Sequence, residues 1–152
     1  MDQNIKFPTL EEIKTFLSNY GWNYKETNAD GKTVLLSPLT LEGKAKAILL
    51  SFRTEGEFVM VNSVGLLKQV PANYCQSLLD LNDKLKLTKI FITKQSEPGK
   101  IDADMGFELW DGAWNQDTFF AFLDMLTLGI HKVLNTLDYE KVPYKTSFVT
   151  YI

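Results

Sequence analysis

The stretch KIDADMGFELWDG (100–112) holds the densest set of groups in this sequence that could do chemistry: Asp102, Asp104 and Glu108 around Gly106. Such crowding invites a calcium loop, whose pattern D-x-[DN]-x-[DN]-G-x5-E needs an acid or amide at position 5, glycine at 6 and glutamate at 12. Counting from Asp102, those positions hold Gly106, Phe107 and Ala113, so the spacing fails and no metal site is expected. As a pair, Asp102 and Asp104 would stand about 6–7 Å apart on one strand face, a separation a carboxylate-dependent enzyme could use. Acids on an open strand face, however, lack the burial that drives two carboxyl pKa values apart.

Other nucleophiles and bases are scarce. His131 is the only histidine and Cys75 the only cysteine. Any Ser-His-Asp or Cys-His arrangement must use His131, yet no nucleophile elbow or cysteine motif accompanies it. One histidine and one cysteine fall short of the usual zinc ligand set. ETNADGKT (26–33) imitates a phosphate-binding G-x-x-x-x-G-K-T, but Glu26 replaces the first glycine and the segment reads as a hairpin. No G-x-G-x-x-G occurs for a dinucleotide. No catalytic residue, cofactor or metal is therefore expected, and the protein is not expected to be an enzyme.

Composition narrows the partners. The net charge is −3, and Arg53 is the only arginine among 16 basic residues. Nucleic-acid binding needs clustered cations, and none is expected here. The longest apolar tract, TFFAFLDMLTLGI, is broken by Asp124 and too short to span a bilayer, so no membrane association is expected. The N-terminus lacks the pattern of a signal peptide. One cysteine allows no internal disulfide, which fits a reducing cytoplasm; Cys75 itself reads as a small buried apolar side chain. A chain of 152 residues most simply forms one domain, here read as 1–152 with an extended tail over 143–152.

The elements that would position these groups are legible. Thr9 and Glu12 form a capping box, with Phe7 and Ile13 as a hydrophobic staple. Ile13, Phe16, Leu17 and Tyr20 give one helical face, and Gly21 a stop. WNYKET and KTVLLSP flank Asp30-Gly31, and KAKAILLSFRT and EFVMVNSVGLL flank Glu55-Gly56, two hairpins. AILLSF and FVMV are apolar on both faces, which predicts strands covered on both sides, by helices or a second subunit. A second helix is predicted from Pro71, with Leu78, Leu81 and Leu85 in a stripe. TKIFITK follows as a strand. Residues 101–109 alternate strictly, which predicts a half-buried strand with Asp102, Asp104 and Glu108 on its wet side. A long helix is predicted over 115–137, capped by Asn115, with Phe119, Leu123, Leu126, Ile130, Val133 and Leu137 packing on the sheet or, as an alternative, on a second subunit.

Trp110, Trp114, Phe119 and Phe120 gather around the strand-to-helix turn before this last helix, with Tyr20 and Trp22 as possible neighbours. They either cap the core or make a binding surface, since tryptophan is enriched among interface anchors. Trp110, Trp114 and Phe120 are the candidate partner-binding residues.

The order helix, three or four strands, helix, two strands, helix resembles the fold of type III secretion chaperones, and in particular the YbjN-like family. VPANYCQSLLDLNDKLKLTKIFITK carries the resemblance, with Leu81-Asn82 late in the helix and Lys89-Ile90-Phe91 in the strand. IDADMGFELW and FFAFLDMLTLGIHKVL follow in the same order. The resemblance implies an α+β domain, helices on an antiparallel sheet, often a homodimer, with no catalytic residues to transfer. It implies a protein-binding, chaperone-like or regulator-like role. A small-ligand sensor with a pocket between sheet and helices is the alternative.

Overall fold

The computed structural model describes residues 8–41 and 47–148. Helix α1 (Leu10–Tyr20) begins at the expected capping box: Thr9 accepts from the Glu12 N–H, and Glu12 accepts in return from the Thr9 N–H at 3.1 Å. It ends at Gly21, whose φ of +85° is the left-handed cap that glycine adopts without penalty. Phe7, the other half of the proposed staple, lies outside the described residues.

Five strands follow before the next helix: β1 (Lys25–Ala29), β2 (Lys32–Thr40), β3 (Ala47–Glu55), β4 (Phe58–Val64) and β5 (Leu67–Pro71). Three or four were expected. EFVMVNSVGLL reads as one strand but breaks at Gly65 (φ +72°), so β4 and β5 become two strands pairing successive parts of one long partner. The second helical stretch is weaker than its leucine stripe suggests. Residues 72–84 hold a 3-10 turn, the short helix α2 (Cys75–Asp80) and a second 3-10 turn. Leu78 and Leu85 are buried, while Cys75 is half-buried instead of fully enclosed.

β6 (Lys89–Glu97) and β7 (Lys100–Trp110) form the next hairpin, and α3 (Gln116–Tyr139) closes the order. All pairings are antiparallel, in the sequence β1-β2-β3-β4-β7, with β5 beside the first half of β7 and β6 along its other edge. The architecture is the expected α+β one. No described helix is long and apolar enough to cross a membrane.

Register decides which side chains meet the helices. Leu35, Phe52, Val61 and Phe107 stand in one row across β2, β3, β4 and β7, and all four are buried. Phe52 packs on Phe119 and Phe107 on Phe122, which places α3 over this face. The whole predicted α3 stripe, Phe119 through Leu137, is buried there; α1 adds Ile13 and Leu17 at 0% exposure. The adjacent row, Arg53, Met60 and Glu108, lies on the opposite face. No described helix covers that face. AILLSF and FVMV are thus enclosed by described helices on one side only; of the two covers expected for the second side, a helix of this chain is absent among the described residues. Their second apolar face remains available.

Candidate functional site

Two places carry the groups singled out from sequence. The first is the acidic run, and the prediction for it fails in an instructive way. Glu108 is exposed, but Asp102 and Asp104 are buried at 4% and 7% exposure. Alternation put both on the face away from the helices. It could not foresee that the break between β4 and β5 folds over that part of β7. A strand break leaves backbone N–H groups without ladder partners, and buried donors must find acceptors. Asp104 supplies one: its Oδ1 accepts from the Leu66 N–H and from the Ser63 hydroxyl, both at 2.8 Å. Asp102 serves the next irregularity, accepting from the N–H of Gln69, a residue at φ +56°, at 3.0 Å. Lys68 stands 3.7 Å from its other oxygen.

These surroundings move the two acids in opposite directions. Burial pushes the Asp104 carboxyl up. The Leu66 N–H, the Ser63 hydroxyl and the Gly65 N–H offset this only in part, and the charge of Asp102 adds to it. Burial acts on Asp102 as well, but the Gln69 N–H, the Ser96 hydroxyl and the ammonium groups of Lys68 and Lys94 outweigh it and hold that carboxyl low. A split pair of carboxylates is the pattern of acid–base catalysis. Here both acids terminate backbone donors inside a strand junction, so their geometry is that of a structural clasp. Among the described residues, no group of three His, Cys, Asp or Glu side chains is placed to hold a metal ion. His131 is half-buried on α3.

The second place is the uncovered sheet face. A groove of about 540 Å³ runs along it between Arg53, Met60 and Asn62 on one bank and Leu87, Lys89 and Phe91 on the other. Its floor is Gly106. A Cβ there would stand 2.3 Å from the Val61 carbonyl oxygen and 2.8 Å from Asn62 Cβ, so only glycine lets β4 and β7 approach this closely. Arg53 donates to Asn62 Oδ1 at 3.2 Å, and the Lys89 ammonium donates to the Asn82 and Leu85 carbonyls. The banks are thereby held in place. Around the groove this face exposes large apolar side chains: Phe58 37%, Val64 40%, Phe91 40% and Trp110 54%.

The three predicted partner-binding residues do not form one surface. Trp110 pairs across the strands with Phe58 on the open face. Trp114 sits on the helix side, 4.8 Å from Phe16 and 5.2 Å from Phe119 between ring centroids. Phe120 stacks on Tyr20 at 4.7 Å, and Trp22 packs on the same Tyr20 ring at 5.1 Å. The Tyr20 hydroxyl donates to Asp124, and burial together with this carboxylate raises its pKa to about 12. Trp114 and Phe120 therefore join α1 to α3, and Trp110 alone faces the groove side. Sequence reasoning did not assign Phe91, Phe58 or Gly106 to a binding surface, although the i, i+2 spacing of Lys89 and Phe91 signals a shared face. It also passed over Asn82 as a structural residue: its side chain accepts from the Ile90 N–H at 2.6 Å and donates back to the Ile90 carbonyl at 3.1 Å, tying the end of the α2 region to β6.

No protein-family model matches this chain, and no curated protein matches it. Among solved structures, the chain is similar to a crystal structure described as "YbjN, a putative transcription regulator from E. coli", with a TM-score of 0.65. The match covers 92% of this chain and 97% of that one at 12% sequence identity, which is a likeness of fold. The helices on one face of an antiparallel sheet thus constitute a YbjN-like fold.

Proposed function

We propose that this protein is a non-enzymatic binding module, regulator-like or chaperone-like, that holds an extended stretch of a partner polypeptide on its open sheet face. One observation carries the reading: an apolar sheet face with a glycine-floored groove and no described helix over it. Side chains of this kind gathered on one face mark interaction sites, and an extended peptide matches the repeat of the strands beneath it. The description of the YbjN structure as a regulator is compatible with such a role. The non-enzymatic part of the proposal rests on the use made of the two buried carboxylates, both engaged with backbone donors.

A pocket between sheet and helices, needed by a small-ligand sensor, finds no support where α1 and α3 meet the sheet, because Ile13, Leu17, Phe52 and Phe119 are packed there at 0% exposure. We further propose a cytoplasmic setting, consistent with one unpaired cysteine, and a homodimer as the working unit.

A photo-reactive benzoylphenylalanine at position 91, compared with one at position 16 on the helix side, tests the surface in cells. A defined polypeptide joined at position 91, whose purified form binds wild type and not Phe91→Glu, is the expected result. The same polypeptide joined only from position 16 would refute the open-face reading.

A further inference from the structure

One end of the molecule has a charge unlike the rest. The segment Lys84–Lys89 leaves the α2 region and enters β6, bordering two concave surfaces. Leu87 and Lys89 line the open-face groove. Lys84 and Lys86, with Lys132 of α3, surround a smaller cleft of about 140 Å³ whose walls are Met125, Leu128 and Leu85. Every residue lining this cleft is apolar or cationic, in a chain whose net charge is −3. Leu128 is 60% exposed and Leu87 53%. Leu87 also holds φ at +63°, a conformation that costs a leucine free energy. The acids nearest in sequence to these lysines, Asp80, Asp83, Asp124 and Asp138, do not line the cleft, and Glu108 lines the open-face groove.

Resting on the open-face reading, we infer that the partner segment in the groove continues around this end of the sheet and presents acidic residues alternating with leucine-like side chains to Lys84, Lys86 and Lys132. The cleft has room for about one aliphatic side chain, which suits a polypeptide better than the broad plane of a membrane. The lysine ring supplies the charge complement and thereby the direction in which the segment lies.

The full-length chain is titrated with two fluorescent synthetic peptides, one alternating glutamate with leucine and phenylalanine, the other with lysine in place of each glutamate. Phosphatidylglycerol and phosphatidylcholine vesicles form a separate arm. The glutamate peptide is expected to bind about tenfold or more tightly than its lysine counterpart, and to weaken as salt shortens the screening length below about 8 Å. Combined Lys84→Glu, Lys86→Glu and Lys132→Glu substitution should erase the preference, and the corresponding glutamine variant should reduce it while leaving thermal stability unchanged. Equal affinity for both peptides, lost in Phe91→Glu, overturns this inference and leaves the groove reading intact. Absence of binding by the glutamate peptide overturns it too, while the groove reading is decided by the cross-linking at position 91. Binding to phosphatidylglycerol vesicles without any peptide preference assigns the lysines to a membrane and also overturns it.

Discussion

The two faces of the sheet are built from similar residues one register position apart, yet they meet different surroundings. On the helix side, the row Leu35, Phe52, Val61 and Phe107 lies under α3 and is buried throughout. On the other, Phe58 and Trp110 form an equally apolar cross-strand pair that stays exposed. The difference shows that an aromatic side chain in this protein acquires its role from what covers it. Rings of the first kind hold the fold. Rings of the second kind add little to folding and stay exposed.

Substitutions can break or sharpen that contrast. The largest loss is expected for Phe119→Ala, which removes a fully buried ring from contact with Phe16, Phe52 and Trp114. Urea unfolding should show a loss of about 4 kcal/mol. Next comes Asp104→Ala, which strands the Leu66 N–H and the Ser63 hydroxyl inside the β4–β5 junction. A loss of about 2–3 kcal/mol is expected, and a change below about 0.5 kcal/mol would show that the junction does not depend on the clasp.

The clasp has a pH signature. Because the Asp104 carboxyl is raised in the folded chain, its favourable contribution is complete below the unfolded carboxyl pKa and is lost as pH rises through the folded value. Asp102 is lowered, so its contribution is present above the unfolded pKa and is lost as pH falls through the folded one. Measured from about pH 3 to pH 7, the stability of wild type relative to Asp102→Asn should grow with pH. Relative to Asp104→Asn it should shrink. Parallel profiles would contradict the opposed environments. The smallest effect on stability belongs to Trp110→Ala, within about 0.5 kcal/mol of wild type, despite the size of the ring removed. Light scattering, meanwhile, should give twice the 17.3 kDa chain mass for the proposed homodimer; a single-chain mass would exclude it.

Much of this arrangement was legible in the residues. The capping box at Thr9 and the 4, 3, 4, 3, 4 spacing from Phe119 to Leu137 specify two helices through local bonds and one apolar face, and both formed as read. The alternation of 101–109 correctly separates Met105 and Phe107 from Glu108. It misplaces Asp102 and Asp104 because period two reports which face a side chain takes and is silent on what else approaches that face. The β4–β5 break that buries them depends on contacts some 40 positions away in the chain, such as Ser63 with Asp104. The aromatic run near Trp110 failed as a single site for a related reason. The turn between β7 and α3 sends Trp110 to one side of the sheet and Trp114 to the other, so neighbours in sequence parted in space. Of the groove only the shared face of Lys89 and Phe91 was legible, since its floor is a glycine and its banks come from β3, β4 and β6.

The most direct test of the open face as the recognition surface is calorimetric titration of the polypeptide captured at position 91 into wild type, into the double variant Phe91→Glu/Trp110→Ala, and into Trp114→Ala. The account predicts that the double variant folds with near wild-type stability and binds at least about a hundredfold more weakly, as expected when central aromatic anchors are lost. Trp114→Ala, less stable by about 2 kcal/mol, should keep wild-type affinity below its melting temperature. Unchanged affinity in the double variant, with loss confined to Trp114→Ala, would contradict it.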